Sequence, residues 1–187
     1  LHDDVVDESA ERRGRPTANL LWDNQSSVLV GDYLFARSFQ LMVETGSIRV
    51  LDILANAAAT IAEGEVLQLT AARNIATTAE TYLKIIRGKT AALFAAATEV
   101  GGVISQAPDE VTQALWTYGD ALGISFQIVD DLLDYAGTEA IGKTVGDDFR
   151  EGKLTLPVIR AIAQADEKET AFWTRVISKG QQTDEDL

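Results

Sequence analysis

The sequence predicts an all-α fold, a bundle of long helices joined by short links. Three observations carry that reading. Prolines number only three (Pro16, Pro108 and Pro157) in 187 residues, so long stretches lack the residue that most strongly breaks a helix. Apolar side chains recur at spacings of three and four, as in Leu54, Ala58 and Ile61, or Tyr82, Ile86, Leu93, Ala96 and Val100. That is the pattern of a helix with one apolar face. Start and stop residues fall between the stripes: Thr78 and Pro108 at starts, Gly46 and Gly137 at stops.

The elements follow in order. Residues 1–10 open the chain as a helix rich in Asp. The stretch 11–25, with Gly14 and Pro16, reads as a loop. Helices are predicted over 26–45, 48–73, 78–104 and 109–136. The stretch 137–153, GTEAIGKTVGDDFREGK, is a second loop, dense in Gly and charge. Helices over 154–165 and 167–178 follow. Amphipathic helices with short connections bury their apolar stripes against one another, so a bundle is the expected packing.

Composition narrows the function. A hydrophobic fraction of 46% over 187 residues suits one globular domain with a real core. With 29 acidic and 16 basic residues the net charge is −13, which would repel nucleic acid and anionic membrane. There is no cysteine, so disulfides and thiolate chemistry are excluded, in keeping with a reducing compartment. A single histidine, His2, rules out a two-His metal site or a di-iron bundle within this chain. No apolar run of about 18 residues predicts a membrane span.

Two acidic clusters share one form, Asp-Asp-x-x-Asp. Asp3 and Asp7 lie one turn apart with Asp4 beside them. Asp131 and Asp134 share a helix face with Gln127, and Asp130 adjoins. Carboxylates about 4 Å apart repel by about 1 kcal/mol in water and about 4 kcal/mol at an intermediate dielectric. A solvated acidic face would not need such crowding, and two identical clusters, each followed by a loop with Gly and basic residues, point to hard divalent cations. Mg2+ prefers a few carboxylate oxygens plus water and phosphate. Polar residues also interrupt apolar stripes elsewhere: Glu65 and Gln68 continue the Leu54 stripe, and Lys89, with Thr90 alongside, breaks the Tyr82 stripe. Lys89 snorkelling to solvent is the plain alternative. A cavity with a polar rim and an apolar depth is the functional one. His2 and Asp32 read as hydrogen-bonding residues.

These segments resemble a known family. HDDVVDESAERRGRPTAN resembles the first aspartate-rich motif, with its downstream Arg pair, of the all-trans polyprenyl diphosphate synthases. GISFQIVDDLLDY followed by GKTVGDDFREGKLTLP is similar to the second motif and its lysine loop. EGEVLQL and RGKTAALF are similar to two intervening signatures. The order is the family's own, over about residues 1–160, and the nearest likeness is to the medium- and long-chain enzymes of the octaprenyl to decaprenyl kind.

The resemblance implies an antiparallel helical bundle of the isoprenoid synthase type around a central cavity. It implies that Asp3, Asp4 and Asp7 face Asp130, Asp131 and Asp134 and hold Mg2+, three ions per site, that bridge an allylic prenyl diphosphate. Arg12 and Lys89 would bind that diphosphate directly, supported by Thr90, Gln127, Lys143 and Lys153. Arg13 would reach isopentenyl diphosphate, and Glu65, Gln68 and Asp148 would act through metal-bound water or Lys89. The catalytic set it implies is Asp3, Asp4, Asp7, Arg12, Lys89, Asp130 and Asp131. The reaction is Mg2+-assisted ionisation, condensation with isopentenyl diphosphate and growth of an all-trans chain, for a quinone side chain. The expected setting is a cytoplasmic homodimer that passes its product to membranes. The family carries helices and a Gly-Lys-x-x-Arg-like signature ahead of its first motif, so residues 1–187 are expected to be one all-α domain that is a piece of a longer chain, inactive or nearly so by itself. A terpene cyclase is the alternative within enzymes, although its second metal motif mixes Asn/Asp, Ser/Thr and Glu. A non-catalytic partner subunit of a heteromeric synthase is the alternative outside them, although such partners lose one aspartate motif.

Overall fold

In the computed structural model, which describes residues 1–7, 9–12, 14–136, 146–183 and 185–186, the expected helices form in the expected order. The chain divides into two compact units, Leu1–Leu51 and Asp52–Leu187.

The first unit opens with α1 (His2–Val6), shorter than the helix expected over 1–10. Asp7 closes it, its N–H donating to the Asp3 carbonyl at 2.8 Å. The loop expected over 11–25 contains more order than its composition suggested. Strands β1 (Glu11–Arg12) and β2 (Arg15–Pro16) pair antiparallel, Arg12 opposite Arg15. Gly14, at φ +72°, supplies the left-handed turn. Helix α2 (Ala18–Leu21) follows, and then α3 (Asn24–Glu44), whose Asp23 cap accepts the Ser26 N–H at 2.6 Å. His2 behaves as a hydrogen-bonding residue, its Nε2 lying 2.9 Å from the Val28 carbonyl, and Asp32 Oδ1 stands 3.2 Å from the same nitrogen.

Helix α4 (Ile48–Ala71) leads into the second unit. There α5 (Ala79–Ile86) is capped by Thr78, as expected, which accepts the Thr81 N–H. The helix expected over 78–104 is continuous but not uniform: one π turn, Arg87–Ala91, joins α5 to α6 (Ala92–Ile104). Helix α7 (Asp109–Ala136) starts behind Pro108 and ends where expected, although Gly137 itself lies outside the described residues. The loop expected over 137–153 includes a short helix, α8 (Asp147–Glu151). Helices α9 (Leu156–Ala163) and α10 (Glu167–Trp173), the latter with a reciprocal Asp166–Glu169 cap, precede a final π turn, Thr174–Ser178.

Helices pack closely where glycine allows. A Cβ at Gly123 would stand 2.5 Å from the Ala91 Cα, and one at Gly64 would stand 2.5 Å from the Lys89 backbone N. The absence of side chains there seats the π turn against both α4 and α7. The second unit's core gathers Tyr82, Ile86, Phe149, Leu154, Val158, Ile159, Val176 and Ile177, joined by Ile124 and Ile128 of α7. This core lies under the polar residues described next.

Candidate active site

A cavity of about 190 Å³ opens within the second unit. Ala71, Ala72, Ile85, Ile86 and Leu154 give it apolar walls, while Gln68, Lys89, Gln127, Asp130, Asp131, Asp148 and Lys153 supply polar groups. Seven of the residues that the sequence nominates therefore share one cavity. Each arrives by a different route. Gln68 stands near the end of α4. Lys89 sits in the π turn, an element that often re-aims side chains at functional sites. The 3.6-residue period of α7 brings Gln127 onto the Asp131 face. Asp148 and Lys153 flank the end of α8, where Gly152 takes a left-handed φ of +71° and the Lys153 N–H closes on the Asp148 carbonyl at 2.9 Å.

Hydrogen bonds fix the second triplet. The Thr90 hydroxyl donates to Gln127 Oε1 at 2.7 Å, and Gln127 Nε2 donates to Asp131 Oδ1 at 2.8 Å. The Tyr82 hydroxyl donates to the other oxygen, Asp131 Oδ2, at 2.6 Å. Asp134 is differently occupied: Oδ1 accepts the Asp147 N–H and Oδ2 the Asp148 N–H, each at 3.2 Å, while its carbonyl accepts the Gly146 N–H at 2.8 Å. Lys89 Nζ lies 3.4 Å from Glu65 Oε1, and Lys153 pairs with Glu151.

Burial of this much negative charge has an electrostatic cost. Burial, with the Asp134 and Asp131 charges, pushes the Asp148 carboxyl up to about 7 against the pull of Lys153. Burial also raises the Asp131 carboxyl, although the Tyr82 and Gln127 hydrogen bonds oppose the shift. The Tyr82 hydroxyl is raised by burial and by the carboxylate it serves. A divalent cation would relieve these strains. The donors are hard oxygens, which suit Mg2+ or Ca2+ better than softer metals. Among the described residues no three His, Cys, Asp or Glu side chains converge as a ready-made cage.

The first triplet lies in the first unit. Asp4 is buried, and Arg12 Nε donates to its Oδ1 at 2.7 Å while an Arg12 terminal nitrogen lies 3.4 Å from Asp3 Oδ2. Burial would raise the Asp4 carboxyl, but the Arg12 hydrogen bond and charge outweigh it and hold the carboxyl below its ordinary range. Asp7 follows one turn after Asp3. Arg13 and Lys143, both nominated for substrate, lie outside the described residues.

Two contributors went unnominated. Thr155 lines the cavity, and Tyr82 reads in sequence as an apolar-stripe residue. A tyrosine hydroxyl on a stripe headed for the core needs a buried partner, and that requirement was the available signal.

Fold and site together define the class: an all-α protein of the isoprenoid synthase type. The chain belongs to the polyprenyl synthetase family, whose pattern matches residues 1–187. It is 46% identical over 181 residues to the octaprenyl diphosphate synthase of Escherichia coli (strain K12), covering 96% of this chain and 56% of that one. A decaprenyl diphosphate synthase from Rhodobacter capsulatus superposes with a TM-score of 0.94 at 75% identity, over 99% of this chain and 57% of that one. A polyprenyl synthase from Caulobacter crescentus CB15, solved with calcium and isoprenyl diphosphate, also gives a TM-score of 0.94, at 52% identity and the same coverage of 99% and 57%. The chain thus spans little more than half the length of these relatives.

Proposed function

We propose that this chain contributes the active site of a trans-polyprenyl diphosphate synthase, which joins an allylic prenyl diphosphate to isopentenyl diphosphate. The observation that carries the proposal is the shared cavity. Two lysines, three aspartates and two glutamines meet there above apolar walls.

The residues divide the work. Lys89 and Lys153 place positive charge where a departing diphosphate accumulates negative charge, and preorganised charge of this kind is often the largest catalytic contribution. Glu65 holds the Lys89 ammonium 3.4 Å away. Thr90 fixes Gln127, and Gln127 fixes Asp131. Asp130, Asp131 and Asp148 supply the carboxylate oxygens for Mg2+, and bound Mg2+ would neutralise and orient the diphosphate. The Caulobacter relative's calcium and isoprenyl diphosphate support that chemistry. When the carbon–oxygen bond breaks, the allylic fragment is cationic. Ala71, Ala72, Ile85, Ile86 and Leu154 offer it no nucleophile, and such a cation survives only where water is kept from it. Attack by the isopentenyl double bond then forms the new carbon–carbon bond, and the resulting cation passes a proton to the released diphosphate, restoring a double bond and adding one isoprene unit. Asp3, Asp4, Asp7, Arg12, Arg13, Asp134 and Lys143 enter the proposal through their motifs, with the roles that the family resemblance assigns.

The octaprenyl and decaprenyl relatives support a long product, suited to a quinone side chain. A cytoplasmic homodimer is the proposed state; no described helix is long and apolar enough to cross a membrane. The test is incubation of the complete protein with Mg2+, farnesyl diphosphate and labelled isopentenyl diphosphate. Label in longer prenyl diphosphates is the expected result. Cyclised hydrocarbon, or no elongation by a folded complete protein, would overturn the reading.

A further inference from the structure

Tyr82 is 2% exposed and belongs to the hydrophobic core, yet its hydroxyl reaches Asp131 Oδ2 at 2.6 Å from a helix 49 residues earlier in the chain. On its opposite oxygen Asp131 accepts from the Gln127 amide; a carboxylate only accepts, so it draws the amide's N–H end, and Oε1 is left to accept the Thr90 hydroxyl. A carboxylate gripped at both oxygens cannot swing about its Cβ–Cγ bond. Each oxygen still has capacity to accept a cation or its water. Partners behind a metal-binding carboxylate fix its orientation, and their loss characteristically weakens metal affinity 10–100-fold.

We infer that Tyr82 is a positioning residue for the cation site of the second aspartate triplet, acting through Asp131. The inference rests on the diphosphate and Mg2+ reading given above. The competing account is that Tyr82 only fills the core. The two differ in what removal of the hydroxyl does. A core filler keeps nearly all of its packing as phenylalanine, and its hydroxyl has no bearing on Mg2+. A positioning hydroxyl is felt chiefly in the Mg2+ requirement.

The experiment is calorimetric titration of inorganic diphosphate into the complete protein at a series of Mg2+ concentrations. It compares the unaltered protein with Tyr82→Phe, Asp131→Asn and the double variant, and records thermal unfolding of each. Tyr82→Phe is expected to remain folded and to require about tenfold more Mg2+ for half-maximal diphosphate binding. Adding Tyr82→Phe to Asp131→Asn is expected to change that requirement little, because the two substitutions disable one device. An unchanged Mg2+ requirement in Tyr82→Phe overturns the inference. So does an equal further loss in the Asp131→Asn background. If the unaltered protein binds no diphosphate with Mg2+, the functional reading itself fails, which is a separate outcome. Should the phenylalanine variant not fold, 3-fluorotyrosine at position 82 keeps the question open to fluorine NMR. A resonance that shifts with Mg2+ plus diphosphate, but not with diphosphate alone, supports the inference, and an unmoved resonance overturns it.

Discussion

The backbone N–H of Asp148 donates to Asp134 Oδ2 at 3.2 Å, so the last carboxylate of the second triplet anchors the helix that carries another acidic residue into the cavity. The Asp147 N–H takes the other oxygen at the same distance. A five-residue helix cannot sustain itself in isolation, and α8 is tied to α7 through this one side chain and the Gly146 N–H.

Asp134→Ala is expected to lower stability by about 1–2 kcal/mol, the range for loss of a helix-capping side chain, and Asp134→Asn by less because one acceptor survives. Asp130→Asn, by contrast, is expected to leave stability nearly unchanged while weakening Mg2+-dependent diphosphate binding. Chemical denaturation and calorimetry on the same preparations separate the two behaviours.

Gly64 lies against the π turn. A Cβ there would meet the Lys89 N at 2.5 Å and the Gly88 carbonyl carbon at 2.8 Å, and backbone cannot step aside as a flexible side chain can. Gly64→Ala is expected to cost about 1–3 kcal/mol from overpacking and to displace Lys89, with a loss of diphosphate affinity. Gly46→Ala is the control: at φ +67° with open space around it, it should cost about 1 kcal/mol from backbone strain alone and leave binding intact.

Lys89→Met is expected to reduce turnover by about 100-fold or more, the scale for removing one charge-stabilising donor. Its effect on stability should stay below about 1 kcal/mol, because the Lys89–Glu65 pair is only partly buried and salt-screened. Steady-state kinetics beside a melting curve will show whether the two effects separate in this way.

Arg175 grips Asp186 with two nitrogens, at 2.9 and 2.6 Å, and holds that carboxyl far below its ordinary range, aided by the Thr183 N–H. A depressed folded-state value means that the unfolded chain takes up the proton first as pH falls. The contribution is therefore complete above the ordinary carboxylate range and is lost as pH drops below it towards the depressed value. Protection of the backbone at 181–183 and 185–186 in hydrogen exchange should accordingly persist at neutral pH and fade in strong acid. Asp186→Asn should show the faded state at every pH.

The amino-acid order by itself determined the helices and the α7 half of the candidate site. Thr78 before α5, Pro108 before α7 and the Gln127–Asp131 interval are local facts, readable because a helix repeats every 3.6 residues. Lys89 and Glu65 could be singled out because each breaks an apolar stripe. Elsewhere local reading reached its limit. The hairpin at Glu11–Pro16 and helix α8 are too short to have a period, and the π turn at Arg87–Ala91 shares its composition with an ordinary helix. Only the tertiary structure decided that the Tyr82 hydroxyl meets Asp131, that Asp134 anchors α8, and that Asp148 sits where burial, with the Asp134 and Asp131 charges, lifts its carboxyl to about 7. The physical reason is range. Helical periodicity acts within a few residues, whereas a buried hydroxyl or carboxylate takes its partner from whatever segment packing brings beside it.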